Sequence, residues 1–133
     1  MSDLKKGSCM CGGVKFEYTG TPFSFSLCHC TMCQKFGGGA FGSFIGLKKA
    51  DFKFSEGEEL VTEFKSSDWA SRTFCSKCGS SLMYLYHEMN DSYFVSAGLF
   101  DSDPEIRPAK HIFVKDKCSW FEITDDIVQI EKY

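Results

Sequence analysis

No stretch of the sequence reaches the ~18 consecutive apolar residues that a membrane-spanning helix needs, so no helical membrane span is expected. The opening residues, Met1-Ser2-Asp3-Leu4-Lys5-Lys6, contain no apolar core of the kind a secretory signal carries. The expected location is therefore the cytoplasm, or the nucleus in a eukaryote. Blocks of five or more basic residues are missing as well, and the net charge is −3. Nucleic-acid partners need a concentrated basic patch, so this spread of charge counts against them. Linkers, low-complexity tracts and internal repeats are absent too. The 133 residues are read as one domain, 1–133.

A long 3.6-residue period is the last absence. In its place the chain carries short alternating runs. Val14-Lys15-Phe16-Glu17-Tyr18 puts Val, Phe and Tyr on one side and Lys and Glu on the other, which predicts a half-buried strand. Similar readings cover 23–27, 40–47, 52–54, 60–64, 82–86, 93–97, 111–114 and 121–123, with 127–133 as a possible last strand. About nine short strands separated by turn signals every eight to twelve residues make an all-β pattern. Fourteen phenylalanines supply apolar surface for its core.

What the chain has in excess is cysteine, eight in all. They fall as Cys9-x-Cys11, Cys28-x-Cys30-x-x-Cys33 and Cys75-x-x-Cys78, with Cys118 alone. Without a secretory signal, such clusters point to metal ligation rather than a disulfide framework. Residues i and i+2 of extended backbone share a face, so Cys9 and Cys11 can present both sulfurs together. Cys75-x-x-Cys78-Gly79 has the zinc-knuckle form, in which a tight turn aims amides at the sulfurs and glycine tolerates the backbone. The two pairs can close a four-thiolate tetrahedron, the geometry of structural zinc, contributing on the order of 10 kcal/mol to folding.

Cys28, Cys30 and Cys33 can reach one ion and leave a fourth position for water or substrate, as catalytic zinc sites do. Three thiolates leave a divalent centre electron-rich, which favours exchange of a thiolate over hydrolysis. A second closed site would require Cys118, but a lone cysteine on an expected strand is ordinarily a small buried hydrophobe. A redox role for Cys75 and Cys78 would need a helix N-terminus and a βαβ setting that the pattern lacks. His29 lies between two ligands, so its ring is expected to point away from the metal, toward neighbouring groups or the surface. His87 is read as solvated in a turn, and His111 as a core or cleft-wall residue. Lys35, Phe41 and His111 are the candidate cleft residues around the reactive centre.

Gly7-Ser8-Cys9-x-Cys11-Gly12, Cys28-His29-Cys30-x-x-Cys33 and Phe74-Cys75-x-x-Cys78-Gly79 together resemble the glutathione-dependent formaldehyde-activating enzyme family, which includes centromere protein V. Gly98-Leu99-Phe100-Asp101, Pro108, His111-Ile112 and Trp120 resemble its C-terminal landmarks, so the likeness runs from about Gly7 to Trp120. Departures are the compact length, Gln34-Lys35 where the family often has a basic pair, and Gly37-Gly38-Gly39 in place of a more varied stretch.

The resemblance implies pleated β-sheets arranged like a tent and joined by a structural zinc on Cys9, Cys11, Cys75 and Cys78. It implies a second, catalytic zinc on Cys28, Cys30 and Cys33, two per chain in all. It also implies a carbon–sulfur lyase activity that joins glutathione to formaldehyde. The alternative expectation is a non-catalytic zinc module that binds a protein or nucleic acid.

Overall fold

The computed structural model describes residues 4–132. Met1, Ser2, Asp3 and Tyr133 fall outside the described residues, and with them half of the segment read for a signal and the end of the expected last strand. Strands β1 (Lys5–Ser8), β2 (Lys15–Tyr18) and β5 (Phe52–Glu56) form a three-stranded antiparallel sheet in the order β1-β2-β5. The other eight strands are β3 (Ser24–Cys28), β4 (Gly42–Lys48), β6 (Val61–Lys65), β7 (Ala70–Cys75), β8 (Ser81–Tyr86), β9 (Ser92–Ser96), β10 (Lys110–Ile112) and β11 (Val128–Gln129). They line up as β11-β10-β3-β4-β9-β8-β7-β6. One helix, α1 (Thr31–Gly37), interrupts the β pattern. Among the described residues no helix is long and apolar enough to cross a membrane.

The alternation of the large sheet sorts its side chains into two layers. Ile45 and Leu47 of β4, Met83 of β8 and Val95 of β9 join Val14, Phe16 and Tyr18 of the small sheet in the main core. Phe16 stacks on Phe52 at 5.1 Å, and Phe100 meets Phe16 and Tyr18 edge-on. The intervening residues, Phe44, Tyr84 and Phe94, face the other way and pack with Cys28, Cys33 and Phe36. One sheet thus separates a deep core from a smaller cluster that carries α1.

The all-β expectation holds, with corrections at particular elements. Residues 121–123, read as a strand, have no regular structure, and Cys118 lies in an irregular segment rather than on a strand. The strand read at 111–114 ends at Ile112, because Phe113 turns the backbone to φ +55°. Of the described tail, Val128 and Gln129 form the short strand β11, parallel to β10, and Ile130 continues the contact through backbone hydrogen bonds with His111 and Val114. The strands β1 and β7 and the helix α1 were not expected. Lys5-Lys6-Gly7-Ser8 offers no apolar alternation, and α1 buries only Cys33.

Candidate functional site

Cys9, Cys11, Cys75 and Cys78 bring their sulfurs within 4.8 Å of one another. Cys9 Sγ and Cys11 Sγ are 3.5 Å apart, and Cys11 Sγ and Cys75 Sγ 3.9 Å. A tetrahedral zinc with Zn–S bonds of about 2.3 Å sets its sulfurs about 3.8 Å apart, so the spacing fits that ion. The extended geometry expected for Cys9-x-Cys11 is replaced by a turn: the Gly12 amide donates to Cys9 O at 3.0 Å, and Gly12 has φ +75°. The turn aims the amides of Gly13 and Val14 at Cys11 Sγ and Cys9 Sγ, each at 3.3 Å.

On the other side, the Gly79 amide donates to Cys75 O at 2.8 Å with φ +80°, the knuckle geometry. The Ser80 hydroxyl lies 3.2 Å from Cys78 Sγ. Hydrogen bonds from the Ser80 hydroxyl and then its amide bring the Cys78 thiol down to about 5. The cluster ties the turn between β1 and β2 to the turn between β7 and β8, so it clamps the small sheet onto the large one. Cys78 leads into β8 rather than a helix, which leaves the redox-dithiol reading without its setting.

The second group is Cys28, Cys30 and Cys33, again within 4.8 Å of one another. Among the described residues no fourth His, Cys, Asp or Glu joins it, and Cys118 is in neither group. Cys28 ends β3, and Cys33 is buried on α1. Between them Cys30 sits at the N-cap in an extended conformation, with its sulfur accepting from the Cys33 amide at 3.3 Å. Cysteine thus occupies the position that Ser or Asp usually fills. The first turn of α1 folds the C-x-C-x-x-C around one point. Gly42, paired with Cys28 on β4, permits this approach. A Cβ there would lie 2.6 Å from the Phe44 ring and 3.3 Å from Cys33 Cβ.

As protein groups alone, the three sulfurs share negative charge unequally. Cys30 is held far below the ordinary thiol range by hydrogen bonds from Cys28 and then Cys33, with help from the Cys33 amide and Arg72. Cys28 is pushed up by its bonds to Cys30 and Cys33 and by burial. For Cys33 the bond with Cys28 lowers the thiol, but the bond with Cys30 and burial outweigh it and raise it. A bound divalent cation favours the deprotonated form of all three.

Two groups beside this centre were not singled out in the sequence. Arg72 of β7 is buried, and its Nη1 donates to Cys33 Sγ at 3.4 Å. Only an arginine placed three residues before Cys75 in a buried strand could have signalled it. The other is Asp125, which anchors a chain of imidazoles. Its carboxylate accepts from His111 Nε2 at 3.1 Å, and His111 Nδ1 lies 2.8 Å from His29 Nε2. A carboxylate only accepts, so His111 carries its proton on Nε2, His29 carries its own on Nε2, and His29 Nδ1 is left with a free lone pair. Burial first, then His111 and Lys117, hold His29 below the ordinary imidazole range and so neutral.

Of the expected cleft residues, Phe41 and His111 meet at His29: Phe41 lies 5.1 Å from the His29 ring and 6.3 Å from His111. Lys35 is exposed on α1 and makes no such contact. His29, for which a surface position was open, is fully buried. Its ring lies outside the sulfur group, as the alternation predicted. His87 is exposed, with Nε2 3.0 Å from Ser71 Oγ. A separate cleft of ≈ 380 Å³ lies along Phe100–Arg107, lined by Phe25, Ile45 and Ile106, and contains no cysteine.

The family model for the glutathione-dependent formaldehyde-activating enzyme matches residues 4–116. A protein of Halomonas elongata, provisionally named a glutathione-dependent formaldehyde-activating enzyme, is 31% identical over 128 residues, covering 90% of this chain and 81% of its own. A protein of Schizosaccharomyces pombe named an uncharacterized lyase is 28% identical over 120 residues, covering 90% of this chain and 85% of its own. The crystal structure of a Rhodobacter sphaeroides protein superposes with a TM-score of 0.62 at 21% identity, over 74% of this chain and 89% of that one, a likeness of fold.

Proposed function

The chain belongs to the glutathione-dependent formaldehyde-activating enzyme family, and on that premise we propose that it is a zinc-dependent carbon–sulfur lyase. It joins a small thiol of the glutathione type to an electrophile such as formaldehyde. The observation that carries this reading is the group of three sulfurs without a fourth side-chain ligand among the described residues. Cys9, Cys11, Cys75 and Cys78 hold a structural zinc, and Cys28, Cys30 and Cys33 hold a second. When bound there, zinc supplies a Lewis-acid position that stabilises a thiolate at neutral pH.

In the reaction the thiol sulfur attacks the carbonyl carbon and a C–S bond forms. The carbonyl π pair moves to oxygen, which takes up the proton the thiol gave up. The chain's own residues arrange the setting. Cys30, as N-cap, holds α1 so that Cys33 converges on Cys28. Gln34 Nε2 donates to His29 O at 2.8 Å and Asp116 O at 3.1 Å, which fixes the loop between Cys28 and Cys30 against the C-terminal segment. The His29–His111–Asp125 chain braces that loop from beneath, and Phe41 and Phe121, 5.6 Å apart, limit water around it. Cysteines that serve as zinc thiolates rather than disulfides suit a reducing compartment. A cytoplasmic location and action as one zinc-binding domain over 1–133 belong to the proposal.

Formaldehyde consumption by the zinc-loaded protein tests it, with glutathione, cysteine and a small synthetic thiol supplied in turn. Acceleration over the uncatalysed reaction is expected only with a thiol present, together with an S-hydroxymethyl adduct by NMR. A fully zinc-loaded protein that accelerates the reaction with none of the three thiols would instead be a non-catalytic zinc module.

A further inference from the structure

Arg72 raises a question of charge that the three-cysteine reading does not answer. The residue is only 4% exposed. A buried guanidinium without a counter-charge is strongly destabilising, and arginine does not escape by deprotonating. Yet among the described residues no carboxylate pairs with it: the carboxylates in ion pairs are held by Lys5, Lys15, Lys48, Lys53, Lys65 and Arg107, and Asp125 accepts from His111. Its Nε is buried without a partner. The guanidinium lies over the rings of Phe36 at 5.2 Å and Tyr84 at 4.8 Å, and Arg72 pairs directly with Tyr84 across β7 and β8. Ring faces attract a cation, but they do not neutralise it. The anion it meets is sulfur, with Nη1 3.4 Å from Cys33 Sγ.

We infer that Arg72 is the charge-compensating residue of the three-cysteine centre, a positioning group that sets the centre's affinity for a divalent metal ion. Three thiolates around a divalent cation leave one net negative charge in a poorly hydrated cluster. The guanidinium cancels it, and its hydrogen bond holds Cys33 in place. Removing the charge strands that negative charge, so the metal binds less well. Among the described residues no cation donates to a sulfur of the four-cysteine centre; its Cys11 is exposed and Cys78 half-buried, so water, amides and Ser80 perform the screening. This inference rests on the proposal that Cys28, Cys30 and Cys33 hold a metal ion.

Zinc competition with a chromophoric chelator separates the two. Wild type, Arg72→Met and Arg72→Lys are titrated, with the four-cysteine site as internal control. A hydrogen bond to a charged partner is worth roughly 10- to 100-fold in an equilibrium constant. Arg72→Met keeps the apolar stem, and its weaker zinc site is expected to lose at least about tenfold in affinity on that scale. Arg72→Lys keeps the charge but not the planar guanidinium that stacks on Phe36 and Tyr84, so its weaker site is expected to lose less than about tenfold, short of the loss in Arg72→Met. The tighter site should be unchanged in both. Two zinc ions per chain with the weaker site equally strong in Arg72→Met would overturn this inference and leave the metal reading standing. A wild type that binds a single zinc would overturn both. If Arg72→Met binds neither ion because it does not fold, Arg72→Lys decides: a loss below about tenfold supports charge compensation, and a larger loss refutes it.

Discussion

Cys75→Ser is expected to leave the chain without a stable fold at 25 °C. Cys75 is fully buried at the end of β7, and its sulfur lies 3.9 Å from Cys11 Sγ. It also belongs to the core between the two sheets. Losing it opens the four-thiolate site and places a hydroxyl among Leu82, Met83 and their neighbours. A closed structural zinc is worth about 10 kcal/mol or more of folding free energy, while a domain of this size has only about 5–15 kcal/mol in total. The substitution therefore removes as much as the fold has to spare. Near-ultraviolet circular dichroism and a thermal melt check it. Loss of the aromatic signal and of the cooperative transition is expected; a wild-type melt would show that the clamp is not metal-dependent.

Cys30→Ser is expected to do the opposite: keep the fold and abolish the thiol chemistry. Cys30 is half-buried, and its structural contribution is the N-cap of α1. Serine is among the preferred N-cap residues, so the cap survives. What is lost is one of the three sulfurs that converge in the second group. Groups that merely support metal ligands cost 10- to 100-fold when removed, so losing a ligand should cost at least about 100-fold in turnover. The thermal midpoint should move by only a few degrees, and one zinc per chain should disappear while the other remains. Full turnover by Cys30→Ser would place the chemistry elsewhere.

These opposite outcomes come from residues that look alike in the sequence, and the difference lies in their surroundings. Spacing alone divided the cysteines into a group of four and a group of three, because C-x-C and C-x-x-C are local features. The strands around Phe16 and Ile45 were equally legible: β2 packs one face and alternates apolar with charged residues, while β4 packs both faces and reads as a short apolar run. The helix α1 was not. It is one residue longer than Cys28-x-Cys30-x-x-Cys33 itself, it ends in Gly37 and Gly38, and it buries a single side chain, so no 3.6-residue period can form.

Long-range pairing was also hidden. The parallel return of β10 beside β3, with His111 opposite Leu27 and Ile112 opposite Cys28, brings His111 and Asp125 under His29. No local pattern encodes that. Arg72 was invisible for a related reason. A charged residue in Ser71-Arg72-Thr73 reads as a solvated position until the sheet turns it toward Cys33.

The central claim is one closed and one open cysteine centre in the same chain. Cadmium-113 NMR of the cadmium-substituted protein, recorded before and after adding glutathione, addresses it directly. The expected result is two resonances per chain, of which one stays fixed and the other shifts or broadens as the thiol enters. A single resonance, or two that ignore glutathione, would contradict the open centre at Cys28, Cys30 and Cys33.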